Sequence, residues 1–332
     1  MKQQESQHRI VGLFLFLALS LVIAPNIFTV HGQLKFKKCD PKPLPLQLAE
    51  FDNQPQQIDS LCGNKGCFKS EANNKQNAAK NNFCAPTTNI IPVTRDTFKA
   101  LQNAVNKMPS IKPRVPPASR VKLKSINLPD GSKLGEGKVV SFVGFVISAR
   151  HSNVDNKNPF TQGNGESVQC NFLGCPYNDI HVEMSGVEND QNACHMVTAE
   201  IIPHYRPAAW DKFDSPSYEE FFKTHPVRMI GQLFFDGSHV ACKNGKPGVF
   251  FEKGKKKTDM RRIAVWEIHP VYSIEVCKKT GKTACLNDDT AWIPFTELQS
   301  FLGLATVTPT DKCDVEKHQP TNPPKSGCQV KQ

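Results

Sequence analysis

The chain has 332 residues, with 41 Lys and Arg against 31 Asp and Glu, a net charge of +10 and 39% hydrophobic residues. That length supports one sizeable core and a smaller satellite unit. Twelve cysteines without a C-x-x-C pair argue against a thiol oxidoreductase, and no G-x-S-x-G, H-E-x-x-H or P-loop pattern speaks for a familiar hydrolase.

Residues 1–32 read as an export signal. The apolar run 10–24 is fifteen residues long, short for a membrane span of about 20 residues and suited to a signal-peptide core. Val30 and Gly32 suit cleavage before Gln33; an uncleaved anchor reaching Val30 is the other reading. The mature chain then has no transmembrane span and is secreted or periplasmic. Cys39, Cys62, Cys67, Cys84, Cys170, Cys175, Cys194, Cys242, Cys277, Cys285, Cys313 and Cys328 are an even set, which in an exported chain predicts disulfides. Two pairs, Cys62/Cys67 and Cys170/Cys175, share a C-x4-C spacing that also fits the looser end of zinc ligation.

Residues 33–108 form a Cys-rich region. Its first part, to about residue 88, is rich in Asn, Gln and Lys and offers little apolar burial against its ordering entropy, so disulfides are expected to hold it. "VTRDTFKALQNAVNKM" is an amphipathic helix, with Phe98, Leu101, Val105 and Met108 at helical spacing and Thr94 or Asp96 as cap. Residues 109–133, with the prolines of "PRVPP", read as a linker.

From 134 to 278 the pattern turns to strands: 137–150, 179–184 and 195–202, then 227–236 and 262–277. Between the third and fourth lies a helix, read from a Ser217/Glu220 capping box and the patch Tyr218, Phe221, Phe222. Three strands, a helix and two strands is the order of the OB-fold, a five-stranded Greek-key barrel. Gly144 and Gly231, midway along the first and fourth strands, suit strands that coil to close a barrel. A β-sandwich fragment is the competing architecture. Residues 279–332 read as a Cys-containing, Pro-rich tail, with Cys328 pinned to a partner such as Cys313 or Cys285.

The motifs "NNFCAP", "DIHVEM", "EIIPHYRP", "GQLFFDGSH" and "WEIHPV", in this order over roughly 80–277, resemble a family of exported, largely bacterial proteins with an OB-like domain and no assigned reaction. The resemblance implies the fold. It carries over no role for the basic insertion before "RIAVWEIHPV" or for the tail.

Two constellations hold the chemistry. In an OB barrel the third strand pairs with the second and the fifth, which would gather His181, Glu183, Glu200, Glu267 and His269 on adjoining positions. Imidazoles and carboxylates so placed permit a divalent metal, with His181, Glu183 and His269 as ligands, and a metal-dependent hydrolase, most plausibly a phosphodiesterase. The same residues also serve as cross-strand hydrogen-bond partners with no chemistry at all. The sequence requires no cofactor. The second constellation is basic: Lys253, Lys255, Lys256, Lys257, Arg261 and Arg262 in the loop before the fifth strand, with Arg150 and Arg206 as further anion contacts. In an OB-fold that loop flanks the ligand face. It would grip a polyanion, nucleic acid or acidic polysaccharide, with little sequence choice. Phe160, Tyr177 and Tyr205 are the candidate stacking aromatics. A binding module for such a polyanion, or for an envelope protein partner, is the leading expectation, and the metal-dependent hydrolase is its alternative.

Overall fold

The computed structural model describes residues 58–59, 62–66, 68, 70–152, 174–310 and 313–314. The signal segment, Cys39, Cys67, Cys170, Cys328, Phe160 and the end of the tail lie outside the described residues. Among the described residues eleven strands alternate with short helices: β1 (Ile91–Val93), β2 (Ile126–Asn127), β3 (Lys133–Leu134), β4 (Val139–His151), β5 (Ile180–Ser185), β6 (Val197–Ile201), β7 (Val227–Phe235), β8 (Val249–Glu252), β9 (Lys255–Thr258), β10 (Trp266–Cys277) and β11 (Trp292–Pro294).

Five of them close a barrel. β4 pairs with β5, β5 with β6, β6 with β10, β10 with β7, and β7 again with β4; all are antiparallel except β6 and β10. This is the OB arrangement the strand order implied. β1 runs parallel to β4 and β11 antiparallel to β10, widening the sheet at two places.

Alternation along the strands decides which side faces in. Val140, Phe142, Val182, Met184, Val197, Ala199, Met229, Leu233, Trp266, Ile268 and Ile274 share one face and belong to one buried apolar cluster. The opposite face carries the half-buried Arg228, Glu275 and Glu183, so it is the outer one. Two glycines permit the closure. A Cβ on Gly144 would lie 2.4 Å from the Ser185 carbonyl oxygen, and one on Gly231 would lie 2.4 Å from that of Pro270. Around Pro270 the β7–β10 register shifts, as expected for a proline inside a strand.

Helix α1 (Glu71–Lys80) precedes β1 and helix α2 (Arg95–Asn106) follows it. Helix α2 starts at Thr94, in a reciprocal capping box with Thr97, and buries Phe98, Leu101 and Val105. Phe98 meets Phe142 edge-on at 6.0 Å. Between β6 and β7, helix α3 (Glu219–Thr224) packs Tyr218 and Phe222 against Phe213 and Phe295. Its capping differs from the expected Ser217/Glu220 box. Ser215 caps instead, its hydroxyl accepting from Ser217 N–H at 3.1 Å, because Pro216 opens a 3₁₀ turn ahead of the helix.

Two segments expected outside the fold belong to it. In 109–133, read as a linker, Leu123 and Ile126 are buried and Arg120 reaches Glu136 at 2.8 Å. The prolines there forbid a helix without forbidding packing. In the expected tail, α4 (Lys282–Leu286), β11 and α5 (Leu298–Phe301) bury Cys285, Phe295 and Leu298. Disulfides join Cys175 to Cys313, Cys194 to Cys242 and Cys277 to Cys285; Cys62 and Cys84 are disulfide-bonded too. Cys313 and Cys285 therefore do not pin Cys328, and Cys175 is no zinc thiolate. Among the described residues no helix is long and apolar enough to cross a membrane.

Gly231→Ala tests the closure. Its methyl has backbone on one side and the Ile268 side chain at 2.6 Å on another. We expect a loss of about 1–3 kcal/mol, the usual cost of overpacking, read as a lower urea midpoint with an unchanged slope.

Candidate functional site

The outer face of β5, β6 and β10 carries His181, Glu183, Thr198, Glu200, Glu267 and His269, as the pairing of an OB barrel required. This face meets protein instead of water. Helix α1 lies over it with Gln76, Asn77 and Lys80 buried, at spacings that put them on one side of the helix. Gln76 donates to Asp236 Oδ1 at 3.1 Å and Ser238 Oγ at 2.7 Å, and its Oε1 accepts from Gly237 N–H at 2.9 Å. Gln232 donates to the Ala79 carbonyl at 2.7 Å. His269 Nδ1 donates to the Lys80 carbonyl at 2.8 Å.

Glu200 is the hub. His269 Nε2 lies 2.7 Å from its Oε2, His181 Nε2 3.2 Å from its Oε1, and Lys80 Nζ 3.7 Å from Oε2. Lys80 is also 3.5 Å from Asp236, so one ammonium serves two carboxylates. Burial works to raise the Glu200 carboxyl, but His181, Lys80 and His269 together hold it well below the usual carboxylate range. Asp236 is likewise held low, its burial outweighed by Lys80, His239 and Arg262. Burial pushes the His269 imidazole down, against the pull of Glu200.

The other expected residues fall in three places. Glu183 is half-buried and accepts from Thr198 Oγ1 at 3.3 Å; the carboxylate that joins Glu200 and His269 is instead Asp179, one ligand atom of each lying within 4.8 Å of the others. Arg262 forms no wall of a binding face. It is wholly buried and ion-paired with Glu267, because the turn into β10 folds it beneath the surface. Arg206 is spent on structure, donating to the carbonyls of Asn178, Ile201 and Cys175 at 2.8, 3.2 and 3.2 Å. Lys253, Lys255, Lys256, Lys257 and Arg261 are exposed, all but Arg261 on the hairpin of β8 and β9, with Lys257 paired to Glu252. Arg150 is exposed near Met260. Tyr205 is buried and Tyr177 half-buried, each packed against the core.

A second feature was not foreseen. Between α2, residues 111–113 and the loop 240–249 opens a cleft of about 1130 Å³. Lys99, Lys112, Lys243 and Lys246 stand on its walls, exposed. Among the described residues none of the four is ion-paired. Asp96 is the single carboxylate among the lining residues, and Phe235, buried, stands there with the imidazoles of His195 and His239. The lysines come from three separate stretches and none of them forms a run, so no local signal marked them.

Comparison with family models, curated proteins and solved structures finds no match to this chain.

The Arg262–Glu267 pair gives one test of the buried network. Arg262→Met alone leaves a buried carboxylate without its partner and is expected to cost about 3–5 kcal/mol. Arg262→Met with Glu267→Leu should recover most of that loss in urea unfolding. Acid gives another. Burial holds the His204 imidazole below its ordinary value despite Asp59, and Asp236 is held below the usual carboxylate range. Both depressions favour the fold above the unfolded value and lose that contribution as pH falls. The urea midpoint should therefore drop first below pH about 6.5 and again below about 4.

Proposed function

We propose that this protein is an exported module that holds an acidic polysaccharide in the cleft between α2 and the β7–β10 connection. The observation that carries this reading is the set of four exposed, unpaired lysines lining that cleft against one carboxylate. A chain of carboxylate or sulfate groups supplies the matching charge, and shedding its counterions supplies the affinity. Lys255 and Lys256 are exposed on the hairpin that follows the cleft loop.

Three further observations support the details. The outer face of β5 and β6, where OB-folds commonly seat polymers, lies under α1, which moves binding to the cleft. No exposed Phe, Tyr or Trp stands among the cleft residues as a platform for stacked bases, which single-stranded nucleic acid needs. Disulfides from Cys175 to Cys313, Cys194 to Cys242 and Cys277 to Cys285 suit an oxidising compartment.

Retention on immobilised heparin, compared with single-stranded DNA, tests the reading on the disulfide-intact protein. The wild type should stay bound at about 0.15 M salt, where exposed charges are screened beyond about 8 Å. Replacing Lys99, Lys112, Lys243 and Lys246 with Gln should weaken heparin binding at least about tenfold, each lost contact lowering the salt slope by about one. Elution of the wild type below that salt, or a quadruple variant that elutes with it, refutes the cleft. Tighter binding to DNA than to heparin replaces polysaccharide with nucleic acid as the ligand.

A further inference from the structure

The contact between His269 and Glu200 holds a contradiction that hydrogen bonding within the chain does not resolve. His269 Nδ1 lies 2.8 Å from the Lys80 carbonyl, which only accepts, so the ring proton sits on Nδ1. The neutral ring then presents the lone pair of Nε2. What it faces, at 2.7 Å, is Glu200 Oε2, another acceptor. Neither Nε2 nor Oε2 has a hydrogen-bond partner, and both residues are at most 1% exposed. Two lone pairs aimed at each other in a dry site need a cation between them.

Only two kinds of cation fit such a gap. A proton would make the pair an imidazolium and a carboxylate. A metal ion would use both lone pairs at once. Asp179, 1% exposed, brings a third ligand atom within 4.8 Å of the other two. Two carboxylates and a neutral imidazole together neutralise a divalent ion.

The surroundings follow the pattern of metal centres. A ligating histidine commonly donates its second ring nitrogen to a carbonyl, which fixes the tautomer and aims the lone pair; Lys80 does this for His269. His181 stands 3.2 Å from the other oxygen of Glu200 and orients that carboxylate. The ammonium of Lys80, close to the same oxygen, has Asp236 at 3.5 Å to offset its charge. Widening the Nε2–Oε2 gap by a few tenths of an ångström suffices for an ion about 2 Å from each. The other grouping of this kind among the described residues, His151 with Cys175 and Cys313, falls away because those sulfurs are joined to each other.

We propose that Asp179, Glu200 and His269 form a binding site for a divalent transition-metal ion, with His181 as a positioning residue that orients Glu200. Mixed nitrogen and oxygen ligands suit zinc or manganese. The ion sits where β5, β6, β10 and the carbonyl end of α1 converge, and so ties the helix to the barrel. Its role stands apart from polyanion binding at the cleft.

The test uses the full, disulfide-intact chain purified without a His-tag. Metal content is measured by mass spectrometry, and the chelated protein is then titrated with Zn²⁺ and Mn²⁺ while calorimetry and thermal unfolding are followed. One ion per chain and a Tm that rises with added metal are expected. Glu200→Gln and His269→Gln should each abolish binding, and His181→Gln should weaken it about 10- to 100-fold. Glu183→Gln, on the same face outside the triad, should bind as the wild type does. Where a triad variant fails to fold, the wild-type titration decides. A folded wild type that holds no metal and whose Tm ignores both ions overturns the proposal and leaves a shared proton in the gap. Unchanged binding by Glu200→Gln and His269→Gln overturns it as well, since the ion would then sit elsewhere.

Discussion

The structure depends on keeping Glu200 charged away from water. A carboxylate buried without partners costs several kcal/mol and would take up a proton instead. Here three elements meet it: His181 on β5 and Lys80 at the end of α1 approach its two oxygens, and His269 on β10 faces it across the proposed metal site. Remove any one and the others lie around an undercompensated charge. The strand pairing β5–β6–β10 and the seat of α1 are thus bound into one electrostatic condition.

That condition explains how a helix with almost no apolar side chains is held to the barrel. The face that α1 turns inward is Gln76, Asn77 and Lys80, which contribute directional bonds and little hydrophobic area. Apolar packing tolerates sliding by a fraction of a turn, whereas hydrogen bonds of fixed length and angle do not. Main-chain groups join in, with the carbonyls of Ala79 and Lys80 accepting from Gln232 and His269. A polar face seated in this way has one register. Cys62 and Cys84, on either side of α1, are both disulfide-bonded.

The cover over the barrel wall also divides the molecule's labour. The face an OB-fold usually offers to a ligand is built into the interior, and the cations nearest to it, Lys80 and Arg262, are spent on its carboxylates. Exposed lysines outside that face include those of the cleft beside α2 and of the β8–β9 hairpin. Buried charges are compensated and fixed, while exposed ones keep their fields in solvent. Both sets are basic residues in the composition, and only their surroundings tell them apart.

The sequence by itself determined the barrel. The strand order, the intervening helix, the two glycines and the amphipathic stripe of α2 are local patterns, and alternation or helical spacing reports them directly. It also placed His181, Glu200 and His269 on adjoining strands, because OB pairing follows from strand order alone. Only the tertiary structure decided what covers that face. Helix α1 is invisible to apolar periodicity, since its contacts are amides and an ammonium whose partners lie about 120 to 190 positions away. The same limit hid Asp179 as the third partner of Glu200 and His269, turned Arg206 and Arg262 from anion contacts into buried braces, and gathered the cleft lysines from three separate stretches. Charge and spacing along a chain state what a residue offers; burial and the partner it meets decide whether the offer is spent on the fold or left for a ligand.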